Sequence, residues 1–282
     1  MKVVLAGAFG NLGSDVLRSL LAAGHQVVAA DIAEKDIGVS GYEFRKIDAR
    51  DPATMKGLCD GADVVVTTIG LTKASATVSA YDIDYQGNLN LLNEAKSAGV
   101  KNFAFVSVIK ADQAPHIPML DAKAKFEKEL KASGLKYVIF RPTGYFYDII
   151  HVFKPMVEKG KVTLLGKKDI HANVIATEDF AEFIVQHMCD DGKMYNIGGK
   201  ETYSYRELAT MCFEAAGKKP NIKTAPPMLF DILANRSKRK KDGKEGVLRF
   251  GKWTMTEEMV GDTVYGDRSF AEYIKQSFNK EA

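Results

Sequence analysis

Apolar runs alternate with helical patterns through the first half of the chain. These runs lie at residues 2–6, 26–30, 42–47, 64–69, 103–107 and 137–140. Between them, apolar residues recur every three or four positions, as on the buried face of a helix. The run at 64–69 is apolar and β-branched throughout, which is typical of a parallel strand buried on both faces. The pattern predicts an α/β fold with a doubly wound parallel sheet, that is, a Rossmann fold.

Three helices between these runs have recognisable ends in the sequence. The first covers about 11–23, the second begins at Asp51 and Pro52 and ends at Leu58, and the third covers 81–98 before Gly99. Proline at the start and glycine after the end are the usual boundaries of helices.

The pattern loosens past Pro142. A helix at 178–188, a strand at 194–197 and a helix that starts with a capping box at residues 204–207 are predicted there. We therefore expect a dinucleotide-binding Rossmann domain at 1–150 and a smaller C-terminal substrate-binding lobe at 151–282, with about 170–200 returning to the Rossmann body. The basic stretch 236–244, after two prolines, is predicted to be an exposed connection and the most mobile part.

A Gly-x-x-Gly-x-x-Gly motif follows the first strand. Gly7 permits a tight turn, Gly10 lets backbone N–H groups approach a pyrophosphate, and Gly13 lets the helix lie close to the strand. The N-terminus of the helix then faces the anion with the positive end of its dipole. Strand, turn and helix together predict a nucleotide site.

Asp31 ends the second strand, 18 residues after Gly13. A carboxylate there accepts hydrogen bonds from the adenine-ribose hydroxyls and repels a 2′-phosphate, which favours NAD over NADP as the cofactor. Lys35, Arg45 and Lys46 are close in sequence, so NADP stays possible.

Composition excludes several other classes of function. The chain has 282 residues, 46% of them hydrophobic, and a net charge of +3, so neither nucleic acid nor membrane is expected as a partner. The three cysteines and five histidines show no metal-ligand spacing, and no metal is expected. The first apolar strand begins directly after Met1, and no apolar run is long enough to span a bilayer, so we expect a cytoplasmic protein with a small-molecule substrate. A homo-oligomer is possible.

Several segments resemble one known family. The motif from Gly7 to Gly13, the step at 48–51, the helix at 84–92 and the segment 141–146 are similar to those of atypical short-chain dehydrogenase/reductases, within the NmrA-like branch that includes divinyl-protochlorophyllide-reductase-like proteins. The resemblance covers most of the chain. It implies cofactor contacts at Gly7, Phe9, Gly10, Asn11, Leu12, Asp31, Asp48, Ala49, Thr68, Ile69, Gly70, Pro142 and Thr143.

The chain departs from the family at its usual acid. Where carbonyl reductases of the family have Tyr-x-x-x-Lys, this sequence has Met119 and Lys123, and methionine cannot donate a proton. Lys123 could hold the ribose and orient the nicotinamide, with the proton supplied by water, Tyr145 or Tyr147. Alternatively, Lys123 is a solvated helix residue. Ser107 stands near the family's catalytic hydroxyl position, or it caps the end of its strand.

An aromatic cluster follows the sixth strand. The cluster either lines a cleft for an apolar or aromatic ligand or forms ordinary core; its members are Tyr145, Phe146, Tyr147, His151 and Phe153.

The sequence is compatible with three functions. The first is an oxidoreductase that acts on a small or conjugated substrate. The second is a regulatory or assembly protein that binds NAD(P) without catalysis, and the third is a sugar-nucleotide epimerase.

Overall fold

A computed structural model describes residues 1–71, 75–166 and 169–279. They form two compact units. The first holds Met1–Arg141 and Phe180–Tyr195, and the second holds Pro142–Asp179 and the described chain from Asn196 onward. The predicted domain limits at 150 and at 170–200 stay predictions.

Twelve strands are present in the described residues: β1 Lys2–Ala6, β2 Gln26–Asp31, β3 Tyr42–Lys46, β4 Val64–Thr67, β5 Asn102–Val106, β6 Lys136–Pro142, β7 Val162–Leu165, β8 His171–Ala172, β9 Lys193–Gly198, β10 Tyr203–Ser204, β11 Ile222–Ala225 and β12 Thr263–Val264. Eight of them form one sheet in the order β12-β9-β6-β5-β4-β1-β2-β3. Strand β1 pairs in parallel with β2 and β4, β2 with β3, β4 with β5, and β5 with β6. The predicted doubly wound Rossmann sheet is confirmed.

Nine α-helices are present in the same residues: α1 Asn11–Ala22, α2 Asn88–Ser97, α3 Pro118–Ala132, α4 Phe146–Glu158, α5 Thr177–His187, α6 Tyr205–Ala215, α7 Met228–Lys240, α8 Glu245–Thr254 and α9 Phe270–Asn279. None of the described helices has the length and apolar character needed to cross a bilayer.

The core of the first unit lies between the sheet and its helices. Residues 3–6 of β1 and 64–66 of β4 are fully buried, as expected for central parallel strands. Phe126 of α3 packs edge-on against Phe105 of β5, with the ring centroids 4.7 Å apart. In the second unit, Phe146 of α4 packs against Phe270 of α9 with the rings tilted by 59° and their centroids 5.0 Å apart.

Two predicted helices in the first unit are present, but the first is shorter than predicted and the second is not α-helical throughout. The predicted helix from 51 to 58 is only a 3₁₀ turn at Pro52–Met55, because the chain turns away at Gly57 with φ +73°. The predicted helix 81–98 begins as a π-helical segment at Tyr81–Gly87 and becomes α-helical as α2. Single π-helical turns within α-helices occur frequently at functional sites.

The basic stretch is also different from the prediction. Residues 236–240 form the last turns of α7 instead of a connection. Lysine and arginine are good helix formers, and their charge is favoured at the C-terminal end of the helix dipole. The capping box before α6 is confirmed: the N–H of Glu207 donates to Oγ of Ser204 at 3.2 Å, and the N–H of Ser204 donates to Oε2 of Glu207 at 2.7 Å.

Candidate functional site

The turn after β1 has room only for glycine at two positions. Gly7 has φ +83°, and a Cβ there would lie 2.7 Å from Oγ1 of Thr68. A Cβ at Gly13 would lie 1.9 Å from the carbonyl oxygen of Gly7. Helix α1 therefore packs directly on the turn, as the motif predicts. Gly10 is less crowded, since its Cβ would lie 3.4 Å from the same oxygen.

The N-terminus of α1 is open to an anion. Gly10 is its N-cap, and among the described residues no side chain caps the helix. The first backbone N–H groups of a helix have no partner within the helix, and the dipole adds positive charge there. Asn11 and Leu12 are the first two residues of this helix, so they present backbone N–H groups to a ligand at the end of β1.

Asp31 lies at the end of β2, beside the glycine turn. Its Oδ2 accepts a hydrogen bond from the N–H of Phe9 at 2.9 Å, and its Oδ1 accepts one from the N–H of Ile32 at 2.7 Å. Lys35 Nζ donates to the carbonyl of Phe9 at 2.8 Å, so a positive charge lies near the same turn. The ring of Phe9 is buried, 5.8 Å from the ring of Phe44, and only its backbone faces the turn.

The segment after β4 supports the turn from the other side. Thr68 Oγ1 donates to the carbonyl of Gly7 at 3.0 Å, and the N–H of Thr68 donates to the carbonyl of Ala6 at 2.9 Å. The N–H of Ile69 donates to Oγ1 of Thr67 at 3.2 Å. Thr68, Ile69 and Gly70 therefore lie at the same edge of the sheet as the glycine turn, where open parallel sheets bind their ligands.

Asp48 and Ala49 follow β3 at this edge. The guanidinium of Arg50 donates to both carboxylate oxygens of Asp48, at 3.0 and 2.6 Å, and these hydrogen bonds lower the pKa of Asp48. The carbonyl of Ala49 accepts a hydrogen bond from Nδ2 of Asn90 at 2.9 Å. The contacts of Asp48 and Ala49 with the adenine stay predictions.

Lys123 lies on α3 with its ammonium group buried. Its side chain is 11% exposed, and Nζ lies 3.1 Å from Oδ1 of Asp84, whose side chain is 1% exposed. Nζ also donates to the carbonyl of Val106 at 3.3 Å. The interpretation of Lys123 as a solvated helix residue is wrong, because position 123 belongs to the buried face of α3 that contains Leu120 and Phe126.

Asp84 belongs to the π-helical segment and approaches the backbone after β4. Its Oδ2 accepts a hydrogen bond from the N–H of Leu71 at 3.1 Å. Its Oδ1 is buried and receives no hydrogen bond from the described residues, since Lys123 Nζ approaches it at ion-pair distance but outside hydrogen-bond geometry. A Cβ at Gly70 would lie 3.0 Å from this oxygen and 3.3 Å from Nζ. The charged pair therefore lies next to the Gly70 backbone.

Ser107 belongs to a second buried network. Its Oγ donates to Oε1 of Glu127 at 2.5 Å, and Glu127 accepts two further hydrogen bonds from Arg141, at 2.9 and 2.5 Å. Arg141 also lies 3.3 Å from Oδ1 of Asp112. The hydroxyl of Ser107 is thus bound to a side chain, whereas the sequence suggested either catalysis or a backbone cap. Its catalytic role stays a prediction.

The remaining predicted site residues lie in the second unit. Thr143, which follows Pro142, donates from Oγ1 to the carbonyl of Asn173 at 2.8 Å. The rings of Tyr145 and Tyr147 are stacked with centroids 5.3 Å apart. Burial raises the pKa of Tyr145 well above its usual value, and the charges of Tyr147 and Asp148 act in the same direction. Tyr145 therefore keeps its proton at neutral pH.

Asp148 is an unusual acid in the same segment. It retains accessible surface, yet the surrounding protein desolvates its carboxylate and raises the pKa to about 6. A hydrogen bond with the Tyr145 backbone and the charge of His151 oppose this shift. The roles of Pro142, Thr143, Tyr145 and Tyr147 stay predictions.

Two buried carboxylates, at Asp84 and Glu127, were missed by the sequence reading. The pattern contains a signal for Glu127, because it lies one turn of helix from Lys123 on the same buried face of α3. Asp84 gives no such signal, since the register of the π-helical segment differs from that of an α-helix.

The geometry of the strand ends fits a pyridine dinucleotide. The crowded glycine turn and the uncapped end of α1 suit a pyrophosphate, and the carboxylate of Asp31 suits ribose hydroxyls. Lys123 has three ammonium protons and donates one described hydrogen bond, so it retains donors for a hydroxyl-rich ligand.

Comparison with known proteins agrees with this geometry. The chain is 26% identical to the photosystem II assembly factor Ycf39 of Synechocystis sp. over 238 residues, which cover 80% of this chain and 71% of that protein. It is 28% identical to the chloroplastic divinyl chlorophyllide a 8-vinyl-reductase of Zea mays over 261 residues, which cover 82% of this chain and 63% of that protein.

The fold is also similar to a solved reductase. The NADPH-dependent quinone oxidoreductase QOR2 of Escherichia coli, complexed with NADPH, superposes with a TM-score of 0.72 and 22% identity, over 99% of this chain and 100% of that one. At this identity the likeness shows the fold alone.

The resemblance to atypical short-chain dehydrogenase/reductases is confirmed. Residues 7–191 match the family described as NAD(P)H-binding, and the chain belongs to that family.

Proposed function

We propose that the protein is an NAD(P)H-dependent oxidoreductase that acts on a small or conjugated organic substrate without the usual tyrosine. A single observation carries the proposal: the ammonium group of Lys123 is buried, paired with Asp84, and next to Gly70 in the segment after β4. Burying a lysine and an aspartate is costly, and a plain structural role would be served as well by apolar residues.

Lys123 and Asp84 have distinct parts in this proposal. The reduced nicotinamide supplies a hydride when the coenzyme is bound. Lys123 donates to ribose hydroxyls and so fixes the position of the ring, and the carboxylate of Asp84 holds the ammonium group in place. A conjugated acceptor spreads the developing negative charge over several atoms, so less is required of an acid than for an isolated ketone. Water, Tyr145 or Tyr147 supplies the proton.

We favour NADH over NADPH, and a reducing compartment such as the cytoplasm. The carboxylate of Asp31 supports the first choice, since two backbone N–H groups fix it at the end of β2, the strand end where Rossmann folds bind the ribose. Lys35 places a positive charge near the same turn, so NADPH stays an alternative coenzyme. The cysteines Cys59, Cys189 and Cys212 are all free thiols, which supports the second choice.

Turnover and coenzyme affinity of a Lys123→Ala variant test the proposal. The purified chain with NADH or NADPH is screened against quinones, enones and aldehydes, and coenzyme oxidation is followed by absorbance. We expect Lys123→Ala to lower turnover at least a hundredfold and coenzyme affinity tenfold or less. Lys125→Ala is the matched control, because Lys125 is an exposed lysine on the same helix. Equal turnover in the two variants would contradict the role of Lys123.

A second candidate is a regulatory or assembly protein that binds the coenzyme without catalysis. Met119 at the usual tyrosine position supports it, and so does the similarity to a protein named as an assembly factor. This candidate predicts tight coenzyme binding with no oxidation by any acceptor. The epimerase alternative is weaker, because epimerisation needs the missing phenol as its base.

A further inference from the structure

Helix α7 in the second unit exposes a run of large apolar side chains. Met228, Leu229, Ile232 and Leu233 are 66%, 47%, 56% and 47% exposed. Their spacing places them on one face of the helix, over its first two turns. Soluble monomers rarely expose adjacent large apolar residues, and such patches mark interaction sites.

The same face becomes basic in the last turns of α7. Arg236, Arg239 and Lys240 follow at helical spacing, and all three are exposed. No ion pair described for this part of the chain involves Arg236 or Arg239. We call these seven residues, Met228, Leu229, Ile232, Leu233, Arg236, Arg239 and Lys240, the apolar–basic face.

The opposite side of α7 is fixed by the protein. Ala234 and Ser237 are buried, and Asp231 accepts two hydrogen bonds from Lys252 of α8, at 2.8 and 2.7 Å. Arg249 of α8 donates to Asn235 at 3.0 Å. Helix α7 is therefore held from one side by α8, and the apolar–basic face does not serve the packing of α7 on α8.

The end of α7 carries an excess of positive charge, although Lys238 lies 3.8 Å from the carboxylate of Glu245. Lys241 and Lys244 extend the basic run, and Asp242 is the single acid between 236 and 244. The Asp242 carboxylate accepts hydrogen bonds from Ser237 and from the N–H of Lys244, so it closes the turn after the helix. The positive charge of Arg236 and Arg239, which take part in no described ion pair, thus remains available to an outside anion.

We propose that the apolar–basic face of α7 binds the surface of an anionic lipid bilayer. The apolar side chains would enter the boundary between headgroups and acyl chains, and the arginines and lysines would meet the lipid phosphates. A helix of 13 residues is about 20 Å long and lies in the plane of the surface. A bilayer fits better than a protein groove, because the exposed surface is a convex helix and its charge complements many equivalent phosphates.

This inference departs from the expectation that no membrane is a partner. The sequence alone predicts that the basic stretch 236–244 is an exposed connection. The structure shows that residues 236–240 of this stretch belong to a helix. The helix places four large apolar side chains on the same face as the basic residues. The inference is independent of the proposed catalysis.

Vesicle sedimentation with the full chain tests this proposal. Vesicles of phosphatidylcholine with phosphatidylglycerol are compared with vesicles of phosphatidylcholine alone. We expect binding to the anionic vesicles, at least tenfold weaker binding to neutral ones, and release in 0.5 M salt. Each basic residue near the surface contributes about fivefold to affinity, so Arg236→Gln with Arg239→Gln should weaken binding about tenfold or more.

Two matched controls separate this face from general effects. Ile232→Ser with Leu233→Ser should abolish binding, whereas Val260→Ser with Val264→Ser, at two exposed apolar positions elsewhere, should not. Lys96→Gln with Lys131→Gln removes the same charge as the arginine variant but lies on other helices. Coenzyme affinity and thermal unfolding confirm that each variant is folded.

The outcomes decide between the possible partners. Failure to bind anionic vesicles, or equal loss in the control variants, overturns the proposal. Binding of an acidic amphipathic peptide to this face in place of vesicles would also overturn it, because the face would then be a protein interface.

Discussion

Arg141 and Glu127 form a buried ion pair with two hydrogen bonds, at 2.9 and 2.5 Å, and their side chains are 6% and 3% exposed. The pair joins the end of β6 to α3. Without the Glu127 carboxylate, Arg141 keeps only the exposed Asp112 as an acidic partner. Removing one member of a buried pair typically costs about 3–5 kcal/mol. We expect Glu127→Gln to lower the free energy of unfolding by about that amount, as measured by chemical denaturation. Glu129→Gln, the same change at an exposed position of α3, should cost about 0.5 kcal/mol or less.

Ser107 tests whether its hydroxyl supports structure or catalysis. The hydroxyl donates to Glu127, and a hydrogen bond to a charged group contributes about 1.5–3 kcal/mol. We expect Ser107→Ala to lower the free energy of unfolding by that amount and to change turnover less than Lys123→Ala does. Loss of turnover with unchanged stability would instead support the catalytic role predicted from the sequence.

Gly13 controls the distance between α1 and the turn. Because a Cβ there would lie 1.9 Å from a backbone oxygen, Gly13→Ala must displace the helix or the turn. We expect a loss of about 3 kcal/mol or more in stability and at least tenfold weaker coenzyme binding, measured by calorimetry. Gly251→Ala is the control: position 251 lies inside α8 with open space around it, so alanine should stabilise the protein by up to about 1 kcal/mol. Equal effects would contradict the packing argument.

Asp31 provides a test of coenzyme choice. Hydrogen bonds from ribose hydroxyls to a carboxylate contribute about 1.5–3 kcal/mol. Asp31→Asn should therefore weaken NADH binding about tenfold or more while NADPH binding changes less, since a repulsive charge is also removed. Asp36→Asn, in the loop after β2, should change neither affinity. An unchanged ratio of the two affinities in Asp31→Asn would contradict the assignment.

Asp148 gives the protein a specific dependence of stability on pH. The pKa of this carboxyl is about 6 in the folded chain, against an ordinary value of 3.8, so the folded state binds the proton more tightly. Its contribution to stability is fully present below pH 3.8 and is lost as the pH rises through 6. We expect Asp148→Asn to unfold at a higher temperature than the wild type at pH 7.5 and at a similar temperature near pH 4. A pH-independent difference would contradict the shifted pKa.

Much of the candidate nucleotide site was predictable from local sequence. Gly7, Gly13 and Asp31 act through their own backbone or strand position, so the spacing along the chain was enough. The environment of Lys123 was harder to predict, because Lys125 and Lys128 suggest a solvated helix, and its partner Asp84 lies 39 residues earlier in a π-helical segment. Pairing across such distances depends on the packing of whole elements, which periodicity does not determine.

Helix α7 was not predicted from the sequence. Its lysines and arginines have high helix propensity. Hydrophobic periodicity predicts a helix through its buried apolar face, and the apolar face of α7 is exposed. Only Ala234 and Ser237 are buried there, and both are small. A sequence pattern that relies on burial therefore misses a helix whose apolar residues remain outside the core.

The hydrogen bond from Thr68 to Gly7 joins residues 61 positions apart. During synthesis, β1 leaves the ribosome several seconds before β4, at about 5–20 residues per second. In that interval the edge of β1 that later pairs with β4 has no partner strand. The carbonyl of Gly7 also lacks the hydrogen bond that Thr68 will donate. A nascent chain arrested before residue 68 should consequently be unable to retain a dinucleotide, even though every glycine of the turn is already made.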